Sequence, residues 1–238
     1  MCDYGFSPAE EILRGCFANG KEPVMKSQKR IISLVFKCLV FLSAVTGILL
    51  QCEVGTNCFS LYSFRMFTTL SNLAVAVFYL AYLVAEIRKP GSAEGTVKFG
   101  YCKFLITMSI MLTGLVAHFM LRGMFDSLDT IAMAGLTLLH YVVPISTFLD
   151  WLLFDVKGNT TWKMPLFATI FPISYVTVSM IMAQFLTGED KYPYPFLNVD
   201  TLGIDAVALN IVFLAAAFLA VGYFGIVADH GMKRLRGE

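Results

Sequence analysis

Two groups of polar residues interrupt apolar stretches of this chain and could carry chemistry. His140 lies well inside the apolar run 131–154, where an ionisable side chain is costly and by default marks a function. The segment 68–72, Thr-Thr-Leu-Ser-Asn, opens another apolar run. A neutral histidine can take the proton of a hydroxyl that attacks an ester carbonyl, and can then protonate the leaving alcohol. We therefore predict an acyl-transfer site if the fold brings both groups to one depth.

The composition is that of an integral membrane protein. Hydrophobic residues make up 57% of the 238 residues and charged residues only 15%, with a mean hydropathy of +0.70. A soluble domain carries about 25% charged residues. Segments of about 20 apolar residues can cross a bilayer as helices. We predict an all-α fold, a bundle of six transmembrane helices at Ile31–Leu50, Phe67–Ala85, Phe104–Leu121, Ile131–Phe154, Pro165–Leu186 and Asp205–Ala228.

The chain divides into three parts by polarity. Residues 1–30 are mostly polar, residues 31–228 hold the six spans, and residues 229–238 form a basic tail. The first apolar run starts too late and is too long for a signal peptide, so we expect it to be the first span. Residues 9–17 are predicted either to form a short amphipathic helix at the membrane face or to belong to a flexible tail.

Basic residues predict the orientation. With six spans both termini lie on one side, and most lysines and arginines fall on that side. The other side holds only Arg65, Arg122 and Lys191. By the positive-inside rule both termini are cytoplasmic.

A rise of about 1.5 Å per residue then assigns depths within the bilayer. His140 falls about 13 Å below the outer edge, and segment 68–72 occupies the outer turns of the second span. His118 lies one turn below the outer end of the third span. The inner halves are far more apolar, so we predict one polar pocket in the outer half of the bundle.

Signatures of other intramembrane chemistries are absent from the sequence. It has no His-Glu-x-x-His metalloprotease motif, no Gly-x-Ser-Gly, no central lysine in spans two to six for retinal, and no convincing inverted repeat. No Cys/His cluster has metal-ligand spacing, and no basic groove suits nucleic acid. We expect no metal, cofactor or nucleic acid. A disulfide between Cys52 and Cys58 is left open.

Each candidate also has a structural interpretation. Threonine and serine in membrane helices often bond to the carbonyl four residues back, and an asparagine often joins two helices. His118, Arg65 and Arg122 could simply be interfacial residues.

Four short segments resemble motifs of one family. They are Phe-Thr-Thr-Leu-Ser-Asn-Leu at 67–73, Thr-Gly-Leu-Val at 113–116, His-Tyr-Val-Val-Pro at 140–144 running to Leu-Asp-Trp at 149–151, and Tyr-Pro-Tyr-Pro-Phe-Leu at 192–197. In this order and on these spans, they resemble the androgen-induced membrane protein family and its prokaryotic six-helix relatives. The resemblance covers roughly residues 30–228.

The resemblance implies intramembrane threonine hydrolases that cleave fatty acid esters of hydroxy fatty acids. The family histidine falls on His140 as the base. Spacing to Asn72, where animal members carry an acid, puts the nucleophile on Thr69. The prokaryotic pattern Phe-Thr-x-x-Ser-Asn puts it on Thr68. The two side chains point about 100° apart on a helix, so only one can face His140, and we favour Thr69.

We therefore expect a lipid-ester hydrolase whose lipophilic substrate enters from the bilayer. Asn72 would orient groups or stabilise charge, with Ser71 and His118 in support. Arg65, Arg122 and Tyr194 would bind substrate. The rival hypothesis is a lipid-binding or transport protein without catalysis that uses the same pocket. Motif details similar to the prokaryotic relatives favour the plasma membrane.

Overall fold

The structure, a computed structural model, describes residues 8–53, 61–93, 96–121, 123 and 129–237. These residues are almost all helical and include no strand. Six helical segments are long and apolar enough to cross a membrane, which confirms the predicted six-span bundle. Their bounds are Gln28–Gln51, Phe67–Arg88, Lys98–Leu121, Thr130–Phe154, Met164–Ala183 and Ile204–Arg236.

The helices are α1 (Pro8–Gln51), α2 (Phe67–Arg88), α3 (Val97–Val116), α4 (Thr130–Thr137), α5 (Val143–Phe154), α6 (Met164–Ala168), α7 (Ile170–Ala183), α8 (Val199–Leu202) and α9 (Ile204–Arg236). Two π turns prolong these helices, at Ala117–Leu121 after α3 and at Leu138–Val142 between α4 and α5. Short 3-10 turns lie at Leu61–Arg65, Glu189–Lys191 and Pro195–Leu197.

Both ends of the spanning region are longer helices than the sequence predicts. Helix α1 runs unbroken for 44 residues, so the segment before the first span is neither a separate short helix nor a flexible tail. Residues 24–30 are rich in good helix formers, such as Met25, Lys26 and Gln28, and this favours continuation of the helix into the span. Helix α9 likewise extends through the basic tail to Arg236 and ends at Gly237, whose φ of +69° is left-handed.

The fourth span changes its hydrogen-bond pattern in the middle. The Val143 N–H donates to the Leu138 carbonyl, five residues back, which defines the π turn. Pro144 follows and has no N–H, so the Leu139 carbonyl lacks the next donor of the π pattern. His140 lies in this turn. Single π turns of this kind occur frequently at functional sites.

A buried ionic cluster joins four spans in the half of the bundle opposite His140. Asp150 accepts hydrogen bonds from Lys37 Nζ at 2.8 Å and from the Tyr79 hydroxyl at 2.9 Å, and it also pairs with Lys103. Lys103 pairs with Asp155 at 2.7 Å. The prediction that this half is apolar is therefore wrong here. Its members lie far apart in the sequence, and only packing of α1, α2, α3 and α5 brings them together.

Candidate active site

Thr68 and His140 form a buried pair between the second and fourth spans. Thr68 is the second residue of α2, and its Oγ1 lies 3.1 Å from His140 Nε2. His140 Nδ1 lies 3.0 Å from the Leu136 carbonyl oxygen, one helical turn back. A carbonyl only accepts, so this bond assigns the proton to Nδ1. In the neutral ring, Nε2 is then free of its proton and accepts the Thr68 hydroxyl.

The Thr69 hydroxyl makes no hydrogen bond to His140. The Thr69 side chain is fully buried, and its Oγ1 has no hydrogen-bond partner among the residues that the structure describes. Successive side chains of a helix point about 100° apart, so the start of α2 at Phe67 turns only one of the two hydroxyls to His140. The geometry favours Thr68, the alternative nucleophile, and does not support the preference for Thr69.

Tyr194 completes the immediate surroundings of Thr68. Its hydroxyl accepts the Thr68 N–H at 3.3 Å and makes a long contact of 3.4 Å with Thr68 Oγ1. Its ring stacks on Phe196 at 5.0 Å within the loop that precedes α8. Burial raises the pKa of the Tyr194 phenol, and hydrogen bonds to Thr68 oppose this rise. The phenol is therefore protonated at neutral pH and can donate, as well as accept, beside Thr68.

Asn72 joins α2 to the π turn that carries His140. Its Nδ2 donates to the Thr68 carbonyl at 2.8 Å and to the Leu139 carbonyl at 3.2 Å. The second bond satisfies the carbonyl that Pro144 leaves without a donor. Asn72 Oδ1 is buried and has no hydrogen-bond partner in the described part of the chain. Asn72 thus positions the pair.

Ser71 and the third span support the same geometry. Ser71 Oγ donates to the Thr68 carbonyl at 3.1 Å and lies 2.7 Å from Thr113 Oγ1. At Gly114, an added Cβ would lie 3.0 Å from the His140 carbonyl oxygen, so only glycine lets α3 approach this closely. Thr113 was missed as a site residue, although it lies in one of the family-like motifs.

The predicted residues at the rim take no part in this pair. His118 is exposed and has the Tyr141 hydroxyl at 3.5 Å from its Nδ1. The Arg65 guanidinium donates to the carbonyls of Asp190 and Lys191, at 2.6 and 3.2 Å, which fixes the loop. These contacts give Arg65 a role in positioning the loop, and its role in substrate binding stays a prediction. Two other predictions, on Arg122 and on the Cys58 half of a disulfide, fall outside the described residues.

Two cavities meet at Thr68. The larger, about 330 Å³, is lined mainly by apolar side chains of α3, α7 and α9. The smaller, about 250 Å³, lies where α1 ends and α2 and α4 begin, beneath the loop that holds Tyr194. Both cavities share Thr68, Leu121 and Tyr194, whereas His140 and Thr69 line only the smaller one. In the described part of the chain, no three His, Cys, Asp or Glu side chains form a possible metal site.

Fold and site together define a six-span membrane protein with a buried threonine–histidine pair. Comparison of the chain with protein-family models, with curated proteins and with solved structures finds no match. The family resemblance therefore rests on the four motifs alone and stays a prediction.

Proposed function

We propose that this protein is an intramembrane hydrolase of long-chain lipid esters, with Thr68 as nucleophile and His140 as general base. The observation that carries this proposal is the 3.1 Å contact between Thr68 Oγ1 and His140 Nε2, with Nδ1 held by the Leu136 carbonyl. A hydroxyl, a base and a group that orients the base are the elements of nucleophilic acyl transfer.

The pair supports both halves of a hydrolytic cycle. As Thr68 Oγ1 bonds to the ester carbonyl carbon, its proton passes to His140 Nε2. The ester C–O bond then breaks, Nε2 returns the proton to the leaving alcohol, and the acyl group remains on Thr68. A water molecule next gives a proton to Nε2 and attacks the acyl carbon. The fatty acid leaves, and the proton returns to Thr68.

We expect the start of α2 to stabilise the negative charge that develops in this cycle. The first N–H groups of a helix have no acceptor within it, and they lie at the positive end of the helix dipole. Thr68 is in this first turn, where its N–H donates to the Tyr194 hydroxyl, so we expect an oxyanion to be stabilised there by the helix dipole. The protonated Tyr194 phenol, 3.4 Å from Thr68 Oγ1, is a further donor.

The larger cavity supports a lipid as the substrate. Its volume of about 330 Å³ is within the range of ligand pockets, and its walls are mainly apolar. Ile173 of α7 lines it and is also 55% exposed on the apolar surface, so the cavity reaches the lipid-facing side of the bundle. A lipophilic ester could enter from the bilayer by this route.

The basic residues and the motifs support a location. The motifs favour the plasma membrane, and the basic residues favour both termini in the cytoplasm. In that orientation Thr68 and His140 would lie within the outer leaflet. Labelling of a cysteine introduced at Gly237 should then require a membrane-permeant reagent.

Purified protein incubated with a fluorophosphonate probe and a panel of lipid esters tests the hydrolase proposal. We expect wild type to be labelled and to hydrolyse esters, and Thr68→Ala and His140→Ala to do neither. Thr137→Ala is the matched control, since this exposed threonine of α4 only bonds back to the Met133 carbonyl. Equal turnover by Thr68→Ala and wild type would rule out the proposal. Tight fatty acid binding without turnover would favour a lipid-binding or transport protein.

A further inference from the structure

The base lines only one of the two cavities that meet at the nucleophile. Thr68 and Tyr194 belong to both walls, whereas His140 belongs to the wall of the smaller cavity alone. An ester carbonyl at Thr68 would therefore lie where the two cavities meet, with His140 on the side of the smaller cavity.

Because His140 lines only one cavity, the orientation of a bound ester at Thr68 is restricted. The leaving alcohol oxygen receives its proton from His140 Nε2, so it must lie within hydrogen-bond reach of that atom. The alcohol part then extends into the smaller cavity. The acyl group becomes attached to Thr68 Oγ1, and the remaining space on the other side of Thr68 is the larger cavity.

We propose that the larger cavity binds the acyl chain and that the smaller cavity binds the alcohol part of the substrate. This assignment rests on the proposed hydrolase function and adds which part of the ester each cavity binds. The larger cavity has no charged side chain in its described wall, so it suits an unsubstituted hydrocarbon chain.

The smaller cavity suits an alcohol that carries further polar atoms. Thr69 lines this cavity, and its Oγ1 is buried and lacks a hydrogen-bond partner in the described ranges of the chain. Such a hydroxyl is costly unless a ligand or water bonds to it. Gln51, at the end of α1, lies in the same wall near the membrane surface. An amphiphilic alcohol could thus place its polar end there, and water could replace it for hydrolysis of the acyl-enzyme.

Four alanine-to-phenylalanine variants test the assignment. Ala215 lines the larger cavity, and its neighbour Ala216 is exposed on the same helix; Ala132 lines the smaller cavity, and Ala134 is exposed. Two ester series are assayed, one with varied acyl length and one with varied alcohol size. Ala215→Phe should lower kcat/KM for long acyl chains by about tenfold or more, with the wild-type order of alcohols kept. Ala132→Phe should lower kcat/KM for esters of large alcohols by a similar factor and keep the wild-type order of acyl lengths.

The control variants Ala216→Phe and Ala134→Phe should resemble wild type in both series. Leu214→Ala enlarges the larger cavity and should shift the preference to longer acyl chains, which covers the case that Ala215→Phe does not fold. Crossed effects, or equal effects on both series, would overturn the assignment.

Binding separates a failure of this assignment from a failure of the hydrolase proposal. A fluorescent fatty acid is titrated into each variant, irrespective of turnover. Weakened binding in Ala215→Phe but not in Ala132→Phe would support the acyl site even if wild type hydrolyses no ester. Unchanged binding in Ala215→Phe would overturn the acyl site even if wild type is an active hydrolase.

Discussion

Replacement of Asp150 by asparagine is the most informative test of what fixes the spans around the site. Asp150 is fully buried, and its carboxylate bonds to Lys37, Lys103 and Tyr79, one each from α1, α3 and α2. In Asp150→Asn, Lys103 keeps Asp155 at 2.7 Å. Lys37 keeps the Ser33 hydroxyl at 2.7 Å but has no other carboxylate within salt-bridge distance among the described residues.

The variant therefore leaves one ammonium group, that of Lys37, buried and uncompensated. Removal of one partner of a buried ion pair costs about 3–5 kcal/mol. We expect about 3 kcal/mol, because the second lysine keeps a carboxylate. Adding Lys37→Met replaces the stranded charge by an apolar side chain and should recover about 2 kcal/mol of this loss.

The free energy of unfolding can be measured in mixed micelles by titration with a denaturing detergent. Trp151 is next to the mutated residue and is buried, so its fluorescence reports on this part of the bundle. A loss below about 0.5 kcal/mol in Asp150→Asn, the range of an ordinary surface substitution, would refute the reasoning. So would a double variant that is less stable than Asp150→Asn alone.

Three further predictions concern the site and the loop after α5. Tyr194→Phe removes a donor beside Thr68, the proposed nucleophile, and should lower kcat by about 10²-fold at unchanged expression, measured with a soluble ester. Thr69→Val should keep probe labelling and thermal stability, because the lost hydroxyl bonds to no described residue, whereas Thr68→Val should lose labelling. Burial lowers the pKa of Lys157 to about 8, so between pH 8 and 10.5 the unfolded chain binds a proton that the folded chain lacks. Stability should therefore rise with pH in that window, and a Lys157→Met variant should lack this rise in unfolding titrations.

The spans could be predicted from the sequence because their signal is local. Length and apolarity alone specify a membrane helix, and all six segments have both. The ends were less predictable: α9 continues through the polar residues after 228, since charged residues such as Lys233 and Arg234 are good helix formers near a helix C-terminus.

The sequence predicted which segments form the site but not which hydroxyl bonds to His140. His140 and the cluster at 68–72 were found from polarity at depth. The choice between Thr68 and Thr69 depends on the rotation of α2 about its axis, which packing against the π turn at Leu138–Val142 and against Tyr194 decides. Pro144, which removes a donor from the π turn, is visible in the sequence. The bond from the Asn72 amide of another span to the Leu139 carbonyl is visible only in the structure.

The most direct test of the central claim is the identity of the residue that becomes covalently modified. Wild-type protein is treated with the fluorophosphonate probe, digested, and sequenced by mass spectrometry. We predict the modification on Thr68, its loss in His140→Gln, and its retention in Thr68→Ser at the same position. Modification of Thr69, or full labelling in His140→Gln, would contradict the account.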